Sequence, residues 1–381
     1  MNARAARLAQ ACGLALAAAL AHSLALAQET PQGWHGCVAV ADPQSRLACF
    51  DQWSRAQSGA AAVARPPAVP VPGSIEPAVR AQTVAVAKPN RDPTGEQGCH
   101  DHGHSDLSRF WELEADSTCG IFGIRGYRPI SLSLIASDSV NSQPTSGNPL
   151  NTATSAQPYR TTETRLQLSV RTKLAQGVLA RDGNRRDSLW FGYTQQSYWQ
   201  VFTPAISRPF RSTDHEPEFI YVYPSTLDLA AGWRLRYTGL GLVHQSNGQS
   251  LPLSRSWNRV YLMAGVEHAG GFTLQGRVWR RIPEDAADDD NPGISDFIGR
   301  AELAAAWNLD AGNRLALTLR HSLRSAAKGS VRLEWLKALG TKSPLGSLRF
   351  HVQLFNGYGD SLLDYNRRRT VLGVGLSLVD W

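Results

Sequence analysis

Apolar and polar residues alternate along the chain from about Phe110 to its end, in segments of roughly ten residues separated by turn-like clusters. Such alternation is typical of membrane-spanning β-strands, which expose one face to lipid and the other to a polar lumen. No later apolar run reaches the length of about 20 residues that a membrane helix needs. The pattern predicts about twelve strands, at 122–134, 163–174, 188–202, 218–223, 233–244, 256–266, 272–281, 295–308, 314–322, 330–336, 347–356 and 370–378.

The connections between these segments alternate in length. Long polar connections follow residues 136 and 282, whereas tight ones occupy 268–271 and 310–313. Short periplasmic turns and long outer loops characterise bacterial barrels, and a soluble sandwich has no reason for that alternation. The last segment carries an apolar row on one face, Leu372, Val374, Leu376 and Leu378. We therefore predict an all-β fold, a transmembrane antiparallel barrel of about twelve strands over residues 110–381, with this row facing lipid.

The residues before the barrel divide into three parts. Residues 1–27 have the basic, apolar and small-residue regions of a secretory signal peptide, and the apolar part is too short for a membrane anchor. Residues 28–57 predict a small cysteine-bracketed periplasmic element with a short helix in its second half. Residues 58–109 are rich in Ala, Pro and Val, and predict an extended, mobile linker because they bury too little apolar area to offset their chain entropy.

The cysteines and charges fit an exported chain. Of five cysteines, Cys12 leaves with the signal, and an even set remains. Disulfides are expected, most simply Cys37 with Cys49, although spacing alone does not determine the pairing. The segment CHDHGH at 99–104 resembles a metal site in composition, but it lacks the second pair of ligands that a closed site needs, and a flexible segment is favoured. Loss of the two signal arginines lowers the formal charge from +7 to +5, which suits contact with anionic lipid.

The stretch GLVHQSNGQSLPLSRSWNRVY at 241–261 carries candidate catalytic residues. His244 and Ser246 lie two residues apart on a strand, so both side chains leave the same face within reach of a hydrogen bond. A hairpin centred on Leu251 places Asn258 opposite His244. Ser246 would be the nucleophile, His244 its base, and Asn258 the group that holds the imidazole in the useful tautomer. On pattern alone, a solvated hairpin mouth is the alternative.

Several segments resemble the outer-membrane phospholipase A family. They are HxSNG and SRSWNR within 244–259, YTQQSYWQ at 193–200, SRPFRSTDHEPE at 207–218, DDNP at 289–292 and NGYGDSLLDYN at 356–366. They occur in the family's order, and the resemblance covers about 110–381. It implies calcium-dependent hydrolysis of glycerophospholipid acyl esters, with phospholipase A1, A2 and lysophospholipase activity, in the outer leaflet of the outer membrane.

The resemblance also implies one calcium ion per active site, at the interface of a homodimer that is active when assembled and inactive as a monomer. The family's calcium ligands correspond to the Ser254 hydroxyl, the Gln249 carbonyl and the carbonyl of the partner's Ser207. Relatives often carry arginine where this chain has Gln249, which matters little for a main-chain ligand. Calcium and the Ser246 amide would stabilise the oxyanion, and Gly248 would let the backbone approach closely.

Further partners follow from the same resemblance. Gln195 corresponds to a polar residue of the family's dimer face, and a polar side chain facing lipid is costly unless it is paired. Glycerophospholipid and outer-membrane lipid are the other expected partners, and no nucleic acid is expected. The N-terminal extension and the C-terminus should be periplasmic.

Two rival functions and two charged segments stay open at this point. A passive porin or transport barrel would carry His244, Ser246 and Asn258 in a water-filled lumen, and a soluble binding domain would need no membrane. The run DDDN at 288–291 is either a second calcium loop or, as we favour, a solvated tip. Arg367 to Arg369 contact lipopolysaccharide or, more simply, form a wet surface.

Overall fold

The protein is described from a computed structural model that covers residues 37, 40–60, 103–180, 184–208, 210–340 and 348–378. The expected signal peptide, most of the expected linker and Trp381 lie outside these residues. The chain divides into two compact units, Met1–Val84 and Ala85–Trp381. Across the described ranges, no helix is long and apolar enough to cross a membrane.

The described part of the first unit is dominated by helix α1 (Pro43–Ala60). Asp42 caps its start, because Oδ2 of Asp42 accepts the N–H of Ser45 at 2.8 Å. A disulfide joins Cys37 to Cys49, which confirms the simplest pairing that the sequence allowed. The helix extends to Ala60, past the expected start of the linker at residue 58.

The second unit is a closed antiparallel β-barrel. Its strands are β1 (Ile124–Gly126), β2 (Ile130–Ser137), β3 (Thr162–Gln176), β4 (Ser188–Trp199), β5 (Ser212–Asp228), β6 (Trp233–Ser246), β7 (Ser256–His268), β8 (Phe272–Arg281), β9 (Ala301–Asn308), β10 (Asn313–His321), β11 (Gly329–Ala338), β12 (Leu348–Gly357) and β13 (Arg369–Leu378). Each strand from β2 onward pairs with the next, and β13 pairs with β2, so that twelve strands close the sheet. β1 pairs with β3 beside β2 and is a short extension of β2. The predicted fold class is confirmed.

Alternation along the strands separates an apolar outer wall from a polar interior. In β13 the predicted apolar row from Leu372 to Leu378 is exposed, whereas Gly373 and Ser377 between its members are not. The interior holds buried ion pairs, such as Arg211 Nε with Glu163 Oε2 at 2.8 Å. Because an unpaired charge away from water is costly, interior charges of opposite sign lie together. The outer wall is therefore the surface that suits lipid.

A short helix, α2 (Asp106–Trp111), fills one end of the barrel. Its Trp111 is completely buried, with ring centroids 5.7 Å from Tyr237 and 5.8 Å from Trp190. Both partners lie near the starts of β4 and β6, at the end of the barrel that carries the tight turns 269–271 and 309–312, so the helix closes that end. The helix begins before residue 110, inside the segment expected to be linker, because burial of its apolar side chains draws it into the barrel.

Three strand predictions differ from the structure by more than small shifts of their ends. The first predicted strand is divided into β1 and β2, since Pro129 between them has no N–H for the ladder. β5 is longer than predicted, because its inward-facing Asp214, Glu216 and Glu218 conceal the apolar alternation. β9 begins at Ala301 rather than at residue 295, because the preceding residues form a short helix, α3 (Ile294–Phe297).

Candidate active site

The hairpin of β6 and β7 carries the predicted catalytic side chains. His244 pairs directly with Asn258 in the strand register, and His244 Nδ1 lies 2.8 Å from Asn258 Oδ1. Leu242 and Val260, the next residues on the same faces of the two strands, are exposed. The pair therefore faces outward, away from the lumen, and His244 meets Asn258 at the register that the sequence predicted.

Ser246 lies on the same outer face as His244 and is half-buried. Its neighbours in the register are Ser256 on β7 and His215 on β5. Within the described chain, no hydrogen bond joins Ser246 to His244, although the sequence analysis expected one. Catalytic hydrogen bonds commonly tighten only when substrate binds, so the shared face is the more informative observation.

Asn258 is also held from its other side, by residues that the sequence analysis missed. Its Nδ2 donates to Glu284 Oε1 at 3.0 Å, and Glu284 Oε2 accepts from an Arg281 nitrogen at 2.8 Å. The same Arg281 nitrogen lies 2.7 Å from Asp289 Oδ1. Glu284 follows the end of β8 by a few residues, so only the register between β7 and β8 brings it to Asn258. Nothing in the linear sequence indicates this contact.

A buried asparagine shapes the turn after Ser246. Asn247 Oδ1 accepts the N–H of Arg255 at 2.9 Å, and Asn247 Nδ2 donates to the carbonyl of Leu253 at 2.8 Å. These bonds tie the two sides of the turn together. Gly248 follows with a φ of 60°, in the left-handed region that favours glycine. The turn thus fixes the backbone at which the oxyanion hole is predicted.

Ser254, a predicted calcium ligand, donates a hydrogen bond to Asp290 Oδ2 at 2.6 Å. Ser256 Oγ donates to the same oxygen at 3.3 Å, and Asn151 Nδ2 donates to Asp290 Oδ1 at 2.9 Å. Interpreting 288–291 as a solvated tip is therefore wrong for Asp290, which is half-buried among polar partners. A hydroxyl beside a carboxylate offers the hard oxygen ligands that calcium prefers, so these residues fit the ion.

Gln249 and Ser207, the other predicted calcium ligands, lie on separate connections. Gln249 Nε2 donates to the carbonyl of Arg211 at 3.0 Å, which anchors Gln249 through its side chain. The carbonyl of Ser207 accepts from Trp199 Nε1 at 2.5 Å. In the part of the chain that the structure describes, no group of three or more His, Cys, Asp and Glu is placed to hold a metal. Hydroxyl and carbonyl oxygens would therefore have to complete a calcium site.

Gln195, the predicted dimer contact, belongs to a polar row on the outer wall. Tyr193 OH donates to Gln195 Oε1 at 3.2 Å and lies 2.7 Å from His215 Nδ1. In the register Gln195 pairs with His215, and His215 pairs with Ser246. The row therefore runs across three strands to the candidate nucleophile. Tyr193 and His215 could not be assigned to the site from the sequence, because β5 joins them to Ser246 only in the folded sheet.

A buried ion network supports the turn that follows Ser246. Asp364 Oδ2 accepts from Arg211 at 3.1 Å and from Arg369 at 2.8 Å. Burial alone would raise the pKa of Asp364, but the two guanidinium groups bring that pKa down to about 2. The Arg211 carbonyl also holds Gln249, which links the network to the turn. Because Arg369 is buried in this network, it belongs neither to a solvent-exposed surface nor to a lipopolysaccharide contact.

The fold and the outward-facing hairpin define a class, an outer-membrane-type β-barrel with its candidate site on the lipid-facing wall. The sequence model of the phospholipase A1 family matches residues 107–378. The chain therefore belongs to the phospholipase A1 family, whose members are hydrolases.

Relatives and solved structures agree with this membership. A Neisseria meningitidis serogroup B protein named as a phospholipase A1 is 34% identical over 357 residues, covering 90% of each chain. Phospholipase A1 of Escherichia coli K12 is 33% identical over 226 residues, 59% of this chain and 72% of its own. Outer membrane phospholipase A from Escherichia coli superposes with a TM-score of 0.60 at 28% identity, over 71% of this chain and 97% of that chain. The Salmonella typhi outer membrane phospholipase dimer with bound calcium has a TM-score of 0.58 at 29% identity, over 68% and 93% of the two chains.

Proposed function

We propose that this protein hydrolyses the acyl esters of glycerophospholipids in the outer leaflet of the outer membrane, as a phospholipase A1/A2 and lysophospholipase. The outward hairpin carries the proposal, since His244 lies 2.8 Å from Asn258 and shares its face with Ser246. A lipid lying against the barrel can reach side chains on this wall. Membership of the phospholipase A1 family supports the substrate class.

In the proposed reaction Ser246 Oγ attacks the ester carbonyl carbon while His244 Nε2 takes the hydroxyl proton. The intermediate collapses, the ester C–O bond breaks, and His244 returns the proton to the departing glyceryl oxygen. Water then attacks the acyl-serine through the same base, which releases the fatty acid and restores the Ser246 hydroxyl. Asn258 Oδ1 accepts from Nδ1–H throughout, which leaves Nε2 free to accept the proton. The Ser246 amide and the backbone at Gly248 face the developing oxyanion.

Calcium would be held by the Ser254 hydroxyl, the Gln249 carbonyl and the carbonyl of the partner's Ser207. When bound, it supplies positive charge beside the developing oxyanion. Asp290, hydrogen-bonded to Ser254, adds a negative charge that favours a cation at this place. The bound calcium of the Salmonella typhi relative supports this assignment.

A homodimer would complete the site, and the monomer would be inactive. Gln195 and the polar row beside it lie on a wall that otherwise presents apolar side chains, where unpaired polar groups are costly. Pairing with a second copy satisfies Gln195 and brings the partner's Ser207 to the calcium site. The dimeric Salmonella typhi relative supports this proposal.

The proposed orientation places the short turns, the C-terminus and the N-terminal extension in the periplasm, with the catalytic hairpin near the outer rim. A passive porin accounts less well for the structure. His244 and Asn258 lie on the outer wall rather than in the lumen, and Trp111 fills the short-turn end of the lumen.

Fatty-acid release from phospholipid in detergent micelles tests the proposal, with calcium and with a chelator. We expect release with calcium, loss of activity with chelator, and loss of activity in Ser246→Ala at saturating calcium. Ser250→Ala, an exposed serine in the same turn, is the matched control and should keep wild-type activity. Hydrolysis that survives Ser246→Ala would exclude Ser246 as the nucleophile. Unchanged hydrolysis in chelator would exclude a role for calcium.

A further inference from the structure

We propose that Glu284 is a positioning residue for the catalytic amide, holding Asn258 in its productive orientation and supplying the negative charge that an amide lacks. This inference rests on the proposed function, in which Asn258 orients His244. Among the described residues, no hydrogen bond joins Glu284 to the imidazole of His244 or to the hydroxyl of Ser246, so Glu284 acts through Asn258.

An asparagine side chain can present either its oxygen or its nitrogen to a histidine. If Nδ2 faced Nδ1, the imidazole would carry its proton on Nε2 and could not accept one from Ser246. Glu284 excludes this arrangement, because an ionised carboxylate only accepts hydrogen bonds and Oε1 lies 3.0 Å from Asn258 Nδ2. Asn258 Oδ1 is thereby committed to His244 Nδ1, at 2.8 Å.

The carboxylate is itself held in place. Arg281 donates to Glu284 Oε2 at 2.8 Å and bonds both oxygens of Asp289, at 2.7 and 3.0 Å. The side chains of Glu284, Arg281 and Asp289 are only 19%, 15% and 14% exposed, so solvent screens them little. Two carboxylates around one guanidinium leave a net negative charge behind the amide. That charge favours the imidazolium that forms when His244 takes the serine proton.

The same geometry explains why an amide occupies position 258. An aspartate there would place two carboxylates 3.0 Å apart, so that one would have to take up a proton or move away. The negative charge of the catalytic chain therefore lies one residue farther from His244, on Glu284. Exchanging the two groups between the two positions should preserve the chain of hydrogen bonds, because an introduced glutamine can donate to an introduced aspartate.

The test compares Glu284→Gln, Asn258→Asp and the double variant, with Asp296→Asn as a matched control that removes another arginine-paired carboxylate from the same connection. Loss of one charge-assisted hydrogen bond predicts a kcat lower by about 10- to 100-fold in each single variant, with KM unchanged. The double variant should recover to within a few-fold of wild type, and Asp296→Asn should match wild type. A structural defect would not be repaired by the second substitution.

Labelling of Ser246 by an alkyl sulfonyl fluoride, counted per folded barrel, gives a second measure that needs no lipid turnover. It should slow in both single variants and recover in the double variant. Two results would overturn the role of Glu284: wild-type rates in Glu284→Gln, or a double variant that is no faster than the slower single variant. Either result would leave the proposed function intact, provided that the wild type shows Ser246-dependent hydrolysis. If the wild type shows no Ser246-dependent hydrolysis, the proposed function and this inference fail together.

Discussion

Acid should weaken the barrel through Asp364, and Asp364→Asn isolates that effect. Asp364 lies in the connection between β12 and β13, is completely buried, and accepts hydrogen bonds from Arg211 and Arg369. Burial opposes ionisation, but the Arg211 and Arg369 guanidinium groups hold the pKa of Asp364 at about 2 in the folded protein, below its ordinary value of 3.8. Because the folded-state pKa lies below the unfolded value, the ionised carboxylate stabilises the fold fully above about pH 4, and this contribution disappears as the pH falls toward 2.

The magnitude follows from that difference. A lowering from 3.8 to about 2 corresponds to about 2 kcal/mol of stability at neutral pH. Removing one partner of a buried ion pair typically costs about 3–5 kcal/mol, because the other charge is left alone. Here Glu163 lies 2.8 Å from Arg211 and 3.7 Å from Arg369. The smaller value is therefore the better expectation.

The assay is urea unfolding in lipid or detergent, followed by tryptophan fluorescence, for wild type and Asp364→Asn at neutral pH and near pH 2. Other titrating groups are common to both proteins, so the difference in free energy of unfolding reports the single site. It should be about 2 kcal/mol at neutral pH and mostly lost near pH 2. A difference that is equal at both pH values would refute the electrostatic reasoning, since a packing defect does not titrate.

Three further outcomes are expected. Asn258→Ala should lower kcat by about 10- to 100-fold with KM and folding retained, because it removes the hydrogen bond to the imidazole together with the one to Glu284, as steady-state kinetics would show. A full kcat would contradict the orienting role. Asp290→Asn should raise the calcium concentration for half-maximal hydrolysis without changing the rate at saturation. An unchanged calcium titration would show that Asp290 does not contribute to calcium binding. Gly265→Ala should lower the free energy of unfolding in urea by about 1–3 kcal/mol, because the added Cβ would lie 2.2 Å from the Tyr237 ring. Gly276→Ala is the control, since its Cβ would meet nothing within 4 Å. Equal stability of the two variants would contradict the predicted clash.

Much of the fold could be predicted because a barrel imposes a period of two on every strand. The bounds of β8 agree with the prediction, as does the lipid-facing row of β13, since the outward positions carry no polar side chain from Phe272 to Val278 and are apolar from Leu372 to Leu378. Prediction was weaker where inward residues are charged, as in β5, or where a short helix precedes a strand, as before β9. Local patterns do not distinguish a polar lumen from a solvated loop.

Only some residues of the candidate site could likewise be predicted from the sequence. His244 and Asn258 were predictable because one tight hairpin joins them, and counting residues from its centre determines the register. Glu284, Asp290 and His215 were not predictable, since each reaches the site across a strand boundary or from another connection.

The β-barrel, its outward apolar face and the histidine opposite an asparagine could be predicted from the sequence, because they depend on alternation and on separations of a few residues. The folded barrel was needed to identify the contacts around that pair and in the lumen: the carboxylate behind Asn258, the aspartate against Ser254, and the helix at Trp111 that fills one end of the barrel. These contacts join segments distant in sequence, and barrel closure brings them together through strand registers and burial that no local pattern specifies.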